Sequence, residues 1–411
     1  MRLSLLHRIG GYKLASYRFD SLPVRGHQVL LTLGIVLGLG GTMPRIVQAQ
    51  PIHPPHAQSL PQIAPQIITQ QAIAQQTNQE LSPAMEDRLN ELLDQGRDLV
   101  QAGRVTEAIS LYQEAAQLDP SNARIYSAIG FLETRQNNFD AAVEAYQQAI
   151  RLESNNPDFY YALGFSKASL GDYRGAAEAY RRTTQLRRND VEAYLGLGVV
   201  LSRLGDYEGA ITAYQQVLTT NPNNGQLYES IGAAYLQEAR YPEALRALER
   251  AEQLAPRSST VQLNLGIARL NLGDMVGGMN ALKRAAELEP RNGVIHLQIG
   301  DVYKAQGNYE QARLQYEKAV AVQPNLREAH TELGQLYLDQ QDYLRAIVSY
   351  RKMIDLNPED PEAHFLLGVA LQGRERDREA RQSYEQAREL YRQQSNAEGV
   401  RKAEEAIDQV D

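Results

Sequence analysis

From Leu89 onward, apolar positions recur at the period of an α-helix, and they do so in blocks. In one block, Tyr126 and Ile129 fall on one side of a first predicted helix, and Val143, Tyr146 and Ile150 on one side of a second. Turn signals separate such stretches at Gly171-Asp172, Gly205-Asp206, Gly273-Asp274 and Gly307-Asn308. Each predicted helix is about 13 residues long, which is marginal for an isolated helix in water. Stability therefore has to come from packing one helix on the next.

The blocks repeat every 34 residues without insertion. A glycine column runs through Gly96, Gly130, Gly164, Gly198, Gly232, Gly266, Gly300, Gly334 and Gly368. Twelve positions later a small-residue column reads Ala108, Ala142, Ala176, Ala210, Ala244, Gly278, Ala312, Ala346 and Ala380. A third reads Tyr112, Tyr146, Tyr180, Tyr214, Leu248, Leu282, Tyr316, Tyr350 and Tyr384, and Pro120, Pro222, Pro256, Pro290, Pro324 and Pro358 mark block ends. A glycine inside a helix costs about 0.8–1.0 kcal/mol relative to alanine, so the column costs roughly 8 kcal/mol. That cost predicts close backbone approach between paired helices at the glycines. The alanines would allow the same from the partner helix, and the tyrosines would fill larger gaps between neighbouring blocks.

This period and these columns resemble the tetratricopeptide-repeat family over Leu89 to about Arg392. The resemblance implies an all-α, right-handed superhelical solenoid of about nine helix-turn-helix repeats with a concave inner groove. The repeats start near 89, 123, 157, 191, 225, 259, 293, 327 and 361. The array is expected over 81–394. A capping helix is expected over 395–411, where Val400, Ala403, Ile407 and Val410 form one stripe, because a solenoid needs a polar-faced lid on its last repeat. Such a fold says little about function by itself.

The N-terminal part reads differently. Residues 1–28 carry Arg2, Arg8, Lys13, Arg18 and Arg25 against Asp20, and an uncharged run of 15 residues follows from Val29 to Met43. Basic, apolar, then the small-residue site Val47-Gln48-Ala49 is the order of a secretory signal. The run is shorter than the roughly 20 residues of a spanning helix, so residues 1–49 read as a cleaved signal peptide or an uncleaved membrane anchor. Either reading exports the array across the cytoplasmic membrane of a bacterium, into the periplasm or an equivalent lumen, or tethers it there. Residues 50–80, rich in Gln and Pro, read as a disordered linker.

Net charge is -8, and residues 1–49 alone carry +5. The acidic remainder argues against nucleic-acid binding, which needs positive charge to displace counterions. The absence of cysteine excludes disulfides, zinc-thiolate sites and cysteine nucleophiles. No phosphate-binding Gly-Lys-Ser/Thr loop, His-Glu-x-x-His or calcium loop occurs, and Gly196-Leu-Gly198 lies inside a predicted helix. No cofactor or metal is expected, and no catalytic residue. His53 and His56 have no fixed backbone or further ligands. His296, His330 and His364 recur where other repeats carry Tyr126, Tyr160, Tyr194 and Tyr228, and they read as packing. Equivalent helices about 8–10 Å apart cannot converge on one zinc ion. Arg181, Arg182, Arg187 and Arg188 read either as a solvated helix end or as a grip for anionic lipid or an acidic peptide.

In the family, ligands usually enter the groove lined by first helices. Its inward positions here hold Ser127, Phe131 and Thr134 in repeat two, Tyr161, Phe165 and Ala168 in repeat three, and Leu195, Val199 and Ser202 in repeat four. Repeat six contributes Leu263, Ile267 and Leu270, and repeat seven Leu297, Asp301 and Lys304. The expected partner-binding residues are Phe131, Tyr161, Phe165, Leu195, Val199, Leu263, Ile267 and Leu270, with packing between first helices as the competing role. The neighbouring column Asp94, Ala128, Ala162, Gly196, Ser230, Asn264, Gln298, Glu332 and Leu366 lacks both a carboxylate clamp and an asparagine ladder. The sequence therefore predicts a non-catalytic scaffold for a protein or peptide partner, organising an envelope or membrane-associated complex. Alternatives are a structural subunit binding through its edges, or the regulatory chain of a separately encoded enzyme such as a glycosyltransferase.

Overall fold

A computed structural model describes residues 82–410. The expected signal or anchor and the Gln/Pro-rich linker, residues 1–80, lie outside them. Every regular element among the described residues is a helix. Nine antiparallel pairs follow one another: α1 (Pro83–Gln101) with α2 (Val105–Leu118), α3 (Ala123–Arg135) with α4 (Phe139–Leu152), and α5 (Pro157–Ser169) with α6 (Tyr173–Leu186). Then come α7 (Val191–Leu204) with α8 (Tyr207–Thr220), α9 (Gly225–Gln237) with α10 (Tyr241–Leu254), and α11 (Ser259–Asn271) with α12 (Met275–Leu288). The last pairs are α13 (Gly293–Ala305) with α14 (Tyr309–Val322), α15 (Arg327–Asp339) with α16 (Tyr343–Leu356), and α17 (Pro361–Gln372) with α18 (Asp377–Gln393). A final helix, α19 (Ala397–Asp408), packs on α18.

Local chemistry sets the helix ends. Most first helices are opened by a side chain that accepts a hydrogen bond from a backbone N–H of the first turn. Asn122, Asn156, Asp190, Asn224, Ser258, Asn292 and Asp360 do this. The Gly-Asp and Gly-Asn signals split into two jobs. Asp172, Asp206, Asp274 and Asn308 cap the second helices. The residue before each cap takes a left-handed backbone, and one such residue occurs in every repeat. Gly171 and Gly205 adopt it freely, whereas Ala239, Gln341 and Glu375 must carry a side chain there.

The small-residue column is sealed, with Ala108, Ala142, Ala176, Ala210, Ala244, Ala312, Ala346 and Ala380 all at zero exposure. The glycine column works differently from the expectation of backbone meeting backbone. Each glycine makes room for the large side chain of its own partner helix. A methyl group on Gly130 or Gly164 would lie 3.0 Å from the ring of Tyr146 or Tyr180, and one on Gly334 would lie 2.6 Å from Tyr350. The tyrosines are thus seated mainly within repeats rather than between them. Tyr180 spans both, because a methyl group on Gly196 of the next repeat would lie 2.6 Å from it. Backbone approach of the expected kind occurs at Gly266, where a methyl would meet the Gly278 carbonyl at 3.2 Å and the partner column holds Leu282.

Consecutive pairs bury a running series of apolar clusters. One links Tyr161 through Ala234, and another runs from Leu297 to Ile407 in α19. First helices of neighbouring repeats, such as α3 with α5, α5 with α7 and α9 with α11, also approach one another, and second helices do not do so to that extent. The stack therefore bends with first helices on the inside. Among the described residues, no helix is long and apolar enough to cross a membrane.

Candidate functional site

The inner row of first helices divides into three stretches. In repeats two to four, Tyr161 and Phe165 are buried, at 2% and 5% exposure, and Leu263 of repeat six is likewise at 2%. Tyr161 tilts against Tyr180 at 5.8 Å between ring centres, and Phe139 meets Phe165 edge-on at 6.5 Å. These three residues spend their surface on the core, so packing is their role in the chain as it stands. Phe131, Leu195, Val199, Ile267 and Leu270 are half-buried and keep apolar surface on the inner side. The Arg135 guanidinium sits 6.0 Å over the Phe131 ring. Asn264, at 2% exposure, is unavailable as a groove donor.

Carboxylates interrupt this row, and composition gave no hint of how they are held. Glu192 opens α7, where burial and the neighbouring Asp190 push its carboxyl upward. Glu229, in the inner row of repeat five, is pushed up by burial and held back by a hydrogen bond from Ser258 Oγ at 3.3 Å. The repeat-five position was legible as a charged break between apolar rungs. Its hydrogen bond to the cap of the next repeat was not.

Repeats seven and eight form the polar stretch. Asp301 of α13 receives a hydrogen bond from Tyr316 Oη at 2.8 Å and one from Gln298 Nε2 at 3.3 Å. Burial pushes its carboxyl up to about 7, helped by Glu332 and opposed by the Tyr316 hydrogen bond and Lys304. Lys304 Nζ pairs with Glu332 Oε2 at 2.5 Å, across from α13 to α15. The sequence placed Asp301 and Lys304 at inward positions of repeat seven. The structure adds Glu332, Tyr316 and Gln298 to them.

Part of the tyrosine column reaches this side. The Tyr146 hydroxyl lies against Thr134 and that of Tyr214 against Ser202, each hydroxyl partner holding the phenol's upward shift back. Tyr384 Oη donates to Gln372 Oε1 at 2.9 Å, and Tyr316 Oη to Asp301. These four hydroxyls pass over the glycines and end on inner-row residues. In repeat eight the position matching Thr134 holds Leu338, and Tyr350 Oη is buried without a partner.

The repeated histidines do more than replace rings. His296, His330 and His364 each bond through Nε2 to the carbonyl of Pro290, Pro324 or Pro358, at 3.1, 2.9 and 3.0 Å. They tie each first helix to the loop before it. The arginine cluster is mostly engaged within the chain. Arg187 pairs with Asp158 at 2.8 Å and Asp190 at 3.1 Å, Arg181 with Asp206 at 3.8 Å, and Arg182 stacks over Tyr160 at 5.8 Å.

Comparison with known proteins bears on the repeats. The family model described as "TPR repeat" matches residues 96–133, 132–171, 300–341 and 334–373, and that described as "Tetratricopeptide repeat" matches 161–225 and 230–292. Together they cover more than half of the chain. Among solved structures, the chain is similar to one of the APC/C hetero-tetramer Cut9-Hcn1, at 17% identity over 70% of this chain and 57% of that one, with a TM-score of 0.44. It is similar to a tetratricopeptide repeat protein from Parabacteroides merdae, at 18% identity over 61% of this chain and 99% of that one, TM-score 0.42. It is also similar to YrrB, described as a TPR protein with an unusual peptide-binding site, at 23% identity over 46% of this chain and 97% of that one, TM-score 0.39. No curated protein matches the chain significantly.

Proposed function

The chain belongs to the tetratricopeptide-repeat family, and from that premise we propose that its array holds an extended or helical protein segment along the inner row of first helices. Proteins of this family are interaction scaffolds that bind protein or peptide partners, and the fold is typically non-catalytic. The observation that carries the finer reading is the run of half-buried apolar side chains Phe131, Leu195, Val199, Ile267 and Leu270 on the inner side of the bend. Apolar anchors with few degrees of freedom, set in a concave surface, are what an apolar segment docks on. An exported or membrane-tethered adaptor that assembles an envelope complex accords with the basic-then-apolar N-terminal sequence.

The test uses residues that face the groove without building the core. Affinity capture from native extract with the full chain is compared with the Leu195→Asp/Val199→Asp variant, after circular dichroism shows both folded. A protein retained by the first and lost by the second is the expected result. Identical partner sets would remove the groove reading.

A second reading has its own observation. Val276 of α12 and Leu344 and Val348 of α16 are 73%, 59% and 64% exposed on second helices, away from the inner row. A structural subunit that binds through its outer surface would use them. Partners surviving the groove variant but lost on Leu344→Asp/Val348→Asp would favour it.

A further inference from the structure

We propose that the outer face of α14 and α16, in repeats seven and eight, rests on the headgroups of an anionic bilayer, with Leu314, Leu344 and Val348 as its apolar contacts and Lys318 and Lys352 as its charged ones. The proposal rests on the outer-surface reading only in using the same face, and it names a lipid surface rather than a protein as what covers it. It requires nothing of the inner row.

The face is out of keeping with the rest of the array. Leu314 and Val348 hold the same place in successive repeats, and every other repeat has a polar residue there, from Ser110 and Glu144 to Gln382. A place that is polar in all the other repeats is not one the stack needs for packing. Leu314 is 41% exposed, and Leu344 and Val348, one turn apart on α16, keep more than half of their surface open. The core side of α16 is already filled by Ala346, Ile347, Tyr350 and Met353, all buried, so this helix is apolar on two sides. A second apolar stripe left in water marks an interaction surface.

Charge says what covers it. One turn on from Leu314 and Val348 stand Lys318 and Lys352, whose ammonium groups pair with no carboxylate among the described residues. Helix α16 carries three cations, Arg345, Arg351 and Lys352, against the single acid Asp355. Arg345 and Arg351 reach carboxylates only at 3.6 and 3.8 Å. The two acids of α14, Glu310 and Glu317, are both held by Arg313, at 2.9 and 2.7 Å. The chain beyond residue 49 is acidic as a whole, so an anionic surface repels most of it and attracts this face.

Shape narrows the choice. Second helices lie on the outside of the bend. A concave row encloses a segment, whereas an outward-curving face offers a peptide no walls and meets a plane along its crest. Leucine and valine dipping past the headgroups, with lysine stems along the acyl boundary and ammonium groups at the phosphates, hold a protein on a bilayer without crossing it.

The chain contains no cysteine, so one introduced thiol carries a dye to one place. A fluorophore is attached to the full chain at Gln311→Cys, one turn from Leu314, and separately at Glu144→Cys, on the outer face of repeat two. Each is mixed with vesicles of phosphatidylglycerol and phosphatidylcholine in equal parts, carrying a nitroxide lipid as quencher, and with phosphatidylcholine vesicles carrying the same quencher. The dye at Gln311→Cys is expected to be quenched on the anionic vesicles and the dye at Glu144→Cys to stay bright, which separates docking of this face from anchoring through the N-terminal residues. Lys318→Gln/Lys352→Gln should raise the lipid concentration for half-quenching about tenfold or more. Leu344→Ser/Val348→Ser, at exposed positions, should abolish quenching with an unchanged melting temperature. Equal quenching of the two dyes, quenching of neither, the same quenching on the neutral vesicles, or quenching that survives Leu344→Ser/Val348→Ser each overturns the proposal. A protein captured without lipid and lost on Leu344→Asp/Val348→Asp, with no quenching by vesicles, leaves the outer-surface reading standing and removes the bilayer.

Discussion

Asp301 shows how one side chain can carry a measurable consequence. Its folded carboxyl titrates near 7, above the ordinary carboxylate range. The folded state therefore binds its proton more tightly than the unfolded chain does. This acid contributes no penalty below the unfolded value near pH 4, and folding loses stability as pH rises from there towards 7. Asp301→Asn keeps an acceptor for Tyr316 and removes the charge. The variant should match the native chain in urea unfolding at pH 4 and exceed it by at least about 1 kcal/mol at pH 8. Equal stability at pH 8 would mean that water reaches the carboxyl. The same scale explains a misreading. Tyr161 and Phe165 look like ligand anchors because their spacing places them on the inner stripe. Spacing fixes direction along a helix, but not how far the neighbouring rung has closed over it. Val199, with the same spacing one rung on, remains half-open.

At the scale of the helix pair, the glycine column is a seat for a side chain. In repeat four, a methyl group on Gly198 would lie 2.6 Å from Cδ1 of Tyr214, whose ring is held on the other side by its own helix. Alanine improves intrinsic helix propensity by about 0.8–1.0 kcal/mol. Overpacking a closed core costs typically 1–3 kcal/mol. Gly198→Ala should therefore lower stability by roughly 1–2 kcal/mol. Leucine opposite would not make room, because a methyl on Gly232 or Gly266 would lie 2.5 Å from Leu248 or 2.7 Å from Leu282; Tyr214→Ala empties the seat, and the double variant should lose less than the sum of the two single changes, a partial rescue. Failure of the rescue, measured as a double-mutant cycle by chemical denaturation, would assign the glycine to backbone approach after all. Much of the pair was legible beforehand. The turn signals, the caps and the alanine column follow from local sequence. The partner of each glycine did not, because a missing side chain does not say what fills its place.

For the whole molecule, the array is a stack in which each pair touches mainly its neighbours, so the ends are where it is vulnerable. α19 covers the last repeat. Tyr391 Oη bonds to Glu362, Lys402 pairs with the same carboxylate at 3.3 Å, and Lys402 Nζ lies 4.1 Å over the Phe365 ring. Truncation after Gln394 exposes Leu390, Tyr391 and the inner side of α17. Amide exchange should quicken through repeat nine and fade inward by repeat seven, leaving repeats two to five unchanged. Uniform quickening along the chain would instead reveal one cooperative unit.

The sequence by itself determined the 34-residue period, the helix pairs, their caps and turns, and the family. Each is a local or repeating property, and nine repetitions of the same local choices leave one architecture in which every apolar face finds a neighbour. Tertiary structure alone decided which inner-row residues stay open, which tyrosine hydroxyls find partners, and that Tyr316 and Gln298 close on Asp301 while Lys304 pairs with Glu332 of the next repeat. Those outcomes depend on the offset between successive rungs, a few ångströms set by side chains from two repeats at once. A pattern that repeats every 34 residues does not contain that offset.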